Sequence, residues 1–167
     1  EQFEKYMQAI KNMDGLPVTI RTLDIGPDKQ GPNAVNSISN NPALGLRAIR
    51  HSLMETDMFL DQLRAILRAS IFGPTKILLP MLTTQLELSQ IFGLIQQAKE
   101  NLRDRKIEYD PSINIGGMIE TPAAALKPEI FLETLDFISI GTNDLIQYVM
   151  AIDRHDDNVA HLYDALN

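Results

Sequence analysis

Cysteine is absent from the 167 residues. Disulfides, a thiolate zinc site and a cysteine nucleophile are therefore excluded within them. Long apolar runs are missing too. The longest candidates, such as Lys76–Leu82, are the size of a buried strand rather than a membrane span. No basic, apolar and small-residue succession opens the sequence, so no secretory signal is expected. Positive charge is scarce: the formal net charge is -7, which argues against general affinity for nucleic acid, where phosphate neutralisation needs clustered Lys and Arg. Neither a G-x-G-x-x-G turn nor a P-loop occurs. There is no low-complexity stretch and no residue-level repeat.

What is present suits one soluble globular domain, with 44% hydrophobic and 22% charged residues. A cytoplasmic setting is the expectation, since nothing in the chain calls for an oxidising one. The sequence starts on Glu1-Gln2-Phe3 and ends on Leu166-Asn167, and reads as an excised piece of a longer protein.

Apolar spacing predicts a helix over Phe3–Met13, stopped by Gly15. Pro17–Leu23 is β-branched and bounded by glycines, hence a strand; Gly26–Pro42 is rich in Gly, Pro, Asn and Ser, hence a loop. Ala43–Ile49 is either a strand or a tight turn. Asp57–Phe72 carries Phe59, Leu63, Ile66 and Leu67 on one helical stripe. Lys76–Met81 is a buried strand, and Thr84-Gln85-Leu86-Glu87 is a capping box opening the next helix. Further strands are expected at Ile113–Ile119 and Leu135–Ile140, with helices at Pro122–Leu132 and Asn143–Ala151.

Apolar strands flanked by amphipathic helices imply a parallel sheet covered on both sides. A closed barrel and an open doubly wound sheet both fit that alternation. The placement of polar residues favours the barrel. Arg21, Glu120 and Asn143-Asp144 fall at or just past the C-terminal ends of strands, where (βα)₈ barrels build their sites. The fold class expected is α/β, part of a (βα)₈ TIM barrel with about five βα units. Residues 1–167 then form one partial barrel domain, its first and last strands missing.

A carboxylate ending an apolar strand, as Glu120 does, is costly unless paired or bound to a cation. It is either held by an Arg or a helix N-terminus, or it is a metal ligand. Asp144 is either an N-cap or a metal ligand. Two carboxylates on one rim without His or Cys suit a hard cation with open positions: Mg²⁺, with Mn²⁺ the alternative. The glycines at 116 and 117 would admit a ligand or a backbone close to that strand. Arg21 is either salt-bridged, with Asp24 the natural partner, or aimed at an anion. Arg47 and Arg50 are either surface residues or anion-binding, and Arg154 either pairs with Asp153 or Asp157 or joins them. Several Arg beside a cation are what a phosphate plus a carboxylate requires.

The segments Ile20–Lys29, Asn41–Arg50, Asp61–Ser70, Glu120–Ala124 and Ser139–Leu145 closely resemble Enzyme I, the phosphoenolpyruvate-protein phosphotransferase of the bacterial sugar phosphotransferase system. The likeness runs nearly end to end and in order. It implies a phosphoenolpyruvate-binding, dimerising barrel with Glu120 and Asp144 as Mg²⁺ ligands. Arg21, Arg47 and Arg154 would lie on the substrate's phosphate, with Asn143 beside them. In that family the phosphoryl group passes to a histidine of an N-terminal domain, then to the carrier protein HPr, for sugar uptake. A cysteine on a later strand protonates the enolate. Both the histidine and the cysteine are missing here, so no catalytic residue is expected within this piece and it should be inactive alone.

The family usually has a second glycine where this chain has Pro27, in Gly26-Pro27-Asp28-Lys29. Pyruvate phosphate dikinase and phosphoenolpyruvate synthase share the elements around Glu120 and Asp144, and remain rivals. So does a Mg²⁺-dependent lyase of the citrate lyase β-subunit type, or a barrel fragment that serves only for dimerisation.

Overall fold

A computed structural model describes residues 1–24, 41–164 and 166. The expected loop at 26–42 therefore lies almost wholly outside the described residues, and Pro27 with it. Among those described, no helix is long and apolar enough to cross a membrane.

Helix α1 (Gln2–Asn12) precedes strand β1 (Val18–Arg21). A 3-10 turn at Pro42–Leu44 leads to α2 (Ala48–Met54) and α3 (Thr56–Ala69), then to β2 (Thr75–Leu79). The chain continues through α4 (Gln85–Asp104), β3 (Asn114–Ile119), α5 (Pro122–Leu126), α6 (Glu129–Leu132), β4 (Phe137–Ile140) and α7 (Thr142–Met150). The four strands are all parallel and lie in chain order, β1-β2-β3-β4, as an open sheet.

Each element follows from its sequence. Phe59, Leu63, Ile66 and Leu67 of α3 are all fully buried, as their helical spacing requires. They pack in one core with Ile10 of α1, Ile91 and Ile95 of α4, and the strand residues Ile20, Ile77, Leu79, Ile115 and Ile119. Thr84 caps α4 as expected: its hydroxyl accepts the Glu87 N–H at 3.2 Å, while Glu87 Oε2 accepts the Thr84 N–H at 2.8 Å. Pro128 divides the expected helix at Pro122–Leu132 into α5 and α6.

Of the two readings left open for Ala43–Ile49, the turn holds and no strand forms: the 3-10 turn ends at Leu44, and Gly45–Arg47 link it to α2, a helix too short for its periodicity to be read. The described residues hold four strands, and the sheet is not closed. The helical cover also lies on one face only. Of the residues of opposite parity, Thr19, Arg21, Lys76, Asn114 and Met118 remain exposed or half-buried, while Leu78 and Gly116 are buried. In a parallel sheet all strand C-termini share one edge, so Arg21, Glu120 and the start of α7 arrive at the same rim.

Candidate functional site at the strand ends

Two connections at this rim lie against each other. Glu120 follows β3 directly, and the next residue turns the chain. The Thr121 hydroxyl accepts the Ala124 N–H at 3.2 Å, capping α5, and donates to the Leu82 carbonyl at 2.9 Å. Beyond β4, the Gly141 N–H donates to the Ile119 carbonyl at 3.0 Å. A Cβ on Gly141 would sit 2.6 Å from Cβ of Glu120, so only glycine lets the two connections lie this close. The other two glycines do something different from the expectation. The space beside Gly116 is filled by the Phe137 ring, and that beside Gly117 by Leu82 and Leu135. They admit side chains of the same fold, the Phe137 ring on one face of β3 and two leucines on the other.

A cavity of about 440 Å³ opens at this rim, lined by Arg21, Asp24, Arg47, Glu120, Asn143, Asp144 and Arg154 among others. Every residue expected at the site thus lines one space. Glu120 is 2% exposed. Its Oε1 accepts the Met81 N–H at 2.6 Å, and no ion pair of Glu120 with an Arg is found among the described residues. Burial pushes its pKa up to about 7. The Met81 hydrogen bond opposes this, and the charges of Asp144 and Asp24 add to it. Met81 holds its N–H there with φ of 59°, in the left-handed region that costs a non-glycine residue about 1–2 kcal/mol.

Asp144 does not cap α7. The N-cap is Gly141, and Asp144 Oδ1 is instead paired with Arg47 Nη1 at 3.2 Å and Arg154 Nη2 at 3.4 Å. Arg154 therefore reaches Asp144 rather than Asp153 or Asp157. Its Nη1 is buried and has no hydrogen-bond acceptor among the described residues. Arg47 is partly buried and forks onto Asp24, with Nη2 donating to Oδ1 at 2.9 Å and to Oδ2 at 3.1 Å. Burial opposes the Arg47 charge, but the hydrogen bond and charge of Asp24, then the charge of Asp144, raise its pKa overall. Arg21 is half exposed, 3.5 Å from Asp24 Oδ2. Arg50 stands apart from the cavity, donating to the Leu44 carbonyl at 2.9 Å. Asn143 is exposed on the rim.

Sequence reasoning gave Asp24 only to Arg21, whereas it bridges Arg21 and Arg47. It missed Met81 altogether, because a backbone N–H leaves no residue-type signal. Tyr148, within 3.5 Å of Arg47 Nη1, was also missed.

No three His, Asp or Glu side chains among the described residues group closely enough to enclose a metal. Mg²⁺ needs no such cage; it usually takes one or two carboxylates, keeps waters and shares the oxygens of a phosphorylated ligand. Glu120 and Asp144, whose mutual repulsion is part of what raises the Glu120 pKa, fit that mode.

The parallel sheet thus turns carboxylates and arginines towards one cavity at its C-terminal edge. Residues 1–167 match the family of PEP-utilising enzymes, PEP-binding domain. The chain belongs to that family. It is 56% identical to the phosphoenolpyruvate-protein phosphotransferase of Cupriavidus necator, 47% to that of Geobacillus stearothermophilus and 46% to that of Listeria monocytogenes. Each alignment covers 100% of this chain and 29% of the relative. The chain thus spans less than a third of the length of these proteins.

Proposed function

We propose that this chain is the phosphoenolpyruvate-binding part of a phosphoenolpyruvate-protein phosphotransferase. The observation that carries the reading is the rim cavity, where Arg47 and Arg154 meet Asp144 and where Arg154 Nη1 is a buried donor still lacking an acceptor. A buried cationic donor of that kind calls for an anionic oxygen. The names of the relatives supply the substrate, and the full set of residues expected from the resemblance lines the same space.

In this reading Arg21, Arg47 and Arg154 hold the phosphate and carboxylate oxygens, with Asn143 contributing a side-chain amide at the open edge. Asp24 and Asp144 fix the guanidiniums before the ligand arrives, so little reorganisation is left for binding. Glu120 and Asp144 would hold Mg²⁺, which when bound supplies positive charge to the phosphoryl group and the departing enolate. The phosphoryl acceptor is a histidine of a domain outside this chain, and HPr the next carrier. The sheet belongs to a (βα)₈ barrel in a homodimer. Support for the barrel is the sequential parallel order with no reversal, together with helices on one face; a doubly wound sheet would reverse its order and carry helices on both.

Isothermal titration of phosphoenolpyruvate into the chain, with and without Mg²⁺, tests the site. Binding that is tighter with Mg²⁺ and lost in Glu120→Ala is expected. Equal heats in all cases, from chains shown by circular dichroism to be folded, would refute it.

A further inference from the structure

Asp144, Gln147 and Tyr148 stand at i, i+3 and i+4 on α7, and so share one face of that helix. Asp144 receives both Arg47 and Arg154. The two residues beneath it each serve one of those arginines. Gln147 is buried, and its Oε1 accepts the N–H of Arg154 at 3.1 Å. Its own carbonyl accepts the N–H groups of Ala151, which ends the helix in a left-handed conformation, and of Ile152 at 3.1 Å. One residue thus ties down three N–H groups of the turn that carries Arg154 back to the rim.

Tyr148 does the corresponding work for Arg47. Its hydroxyl donates to the carbonyl of Ala43 and accepts from Arg47 Nη1 at 3.5 Å. Ala43 lies in the 3-10 turn that leads into Arg47. Tyr148 therefore holds both the guanidinium and the backbone that delivers it. Burial raises the phenol pKa, with Arg47 pulling the other way, so the hydroxyl keeps the proton that it donates.

We propose that Gln147 and Tyr148 are positioning residues that set the two phosphate-binding arginines, Arg154 and Arg47, in register with Asp144. The proposal rests on the phosphoenolpyruvate reading of the rim for its consequence in binding, and on geometry alone for its claim about order. Neither residue touches the ligand; each acts through an arginine. A single helix face then carries a carboxylate and the supports of both cations that flank it. A rotation of α7 would shift all three together.

Two measurements keep these parts separable. The first needs no ligand: ¹⁵N relaxation of the Nε–Hε groups of Arg47 and Arg154 in the full chain. Tyr148→Phe should lower the order parameter of Arg47 and leave Arg154 unchanged. Gln147→Leu should do the reverse, and Gln147→Glu, which keeps the acceptor, should restore Arg154. Unchanged arginine order in Tyr148→Phe, the variant least able to disturb folding, would overturn the proposal. The second is titration of phosphoenolpyruvate with Mg²⁺. Tyr148→Phe should weaken binding about 3-fold to 10-fold, the worth of one such hydrogen bond. In the Arg47→Lys background the same change should cost almost nothing further, because the two act as one unit. Additive losses would overturn it. A wild-type chain that binds no phosphoenolpyruvate would refute the substrate reading, while arginine order still decides the positioning claim.

Discussion

Replacing Glu120 by Gln removes one buried charge while keeping the side-chain oxygen that accepts from Met81. The carboxyl is 2% exposed, and its pKa stands at about 7 in the folded chain against an ordinary 4.5. Below pH 4.5 the group is protonated in both folded and unfolded states and contributes no pH dependence. Between 4.5 and 7 the unfolded chain gives up its proton and the folded chain keeps it, so stability falls as pH rises. Above 7 the loss is complete. The difference corresponds to roughly 3 kcal/mol, a large part of the 5–15 kcal/mol or so that holds a domain together. Urea unfolding of the ligand-free chain, followed by circular dichroism from pH 4 to pH 8, reads it directly. Glu120→Gln should match wild type near pH 4 and exceed it by roughly 3 kcal/mol at pH 8, about 6–12 °C in melting temperature. Adding Mg²⁺ at pH 8 should stabilise wild type far more than the variant. Parallel pH profiles for the two proteins would refute the electrostatic account of the rim.

Arg47→Lys keeps the charge and loses the forked contact with Asp24; phosphoenolpyruvate affinity should fall about tenfold or more by calorimetry. Gly141→Ala places a methyl carbon 2.6 Å from Glu120 Cβ, so urea unfolding should show a loss of about 1–3 kcal/mol, with weaker Mg²⁺ stabilisation because Glu120 must move. Thr84→Ala removes half of the capping box of α4, at a residue that does not line the cavity. It should cost about 1 kcal/mol in thermal unfolding and leave ligand affinity unchanged.

Helix spacing made α3 and α4 legible in the sequence, since Phe59, Leu63 and Ile66 form a stripe that only a helix can bury on one side. Strand ends were legible for a related reason: Glu120 and Asp144 follow apolar runs, and a parallel sheet sends all such residues to one edge. α2 was not legible, because its seven residues give too few turns for a period to emerge. The roles of Gly116 and Gly117 were misread because a missing side chain does not say what fills its place; here it is the Phe137 ring and two leucines. Asp144 looked like a cap because Thr-Asn-Asp after Gly fits that chemistry locally. Its ion pairs come instead from Arg47 and Arg154, and Arg47 lies 97 residues away in sequence. No local pattern carries such a contact. The same holds for the Met81 N–H, which any residue type could provide.

Charge balance explains why these contacts belong together. The cavity is lined by three arginines and three carboxylates, Arg21, Arg47 and Arg154 against Asp24, Glu120 and Asp144, so with Glu120 ionised its formal charges cancel. A divalent cation entering alone would leave the rim doubly positive and would compete with the guanidiniums for Asp144. A phosphorylated carboxylic acid entering alone would leave it doubly or triply negative, where burial first, and the charges of Asp144 and Asp24 second, already favour the protonated form of Glu120. Entering together they nearly preserve neutrality: the cation displaces that proton and relieves the carboxylates, and the anion takes up the arginine donors that Asp144 then shares. Each ligand therefore improves the site for the other, and the coupling is reciprocal by thermodynamic necessity. Mg²⁺ should tighten phosphoenolpyruvate by the same factor as phosphoenolpyruvate tightens Mg²⁺, and Glu120→Gln should shrink both factors equally, because the residue that carries the proton is the one that links them.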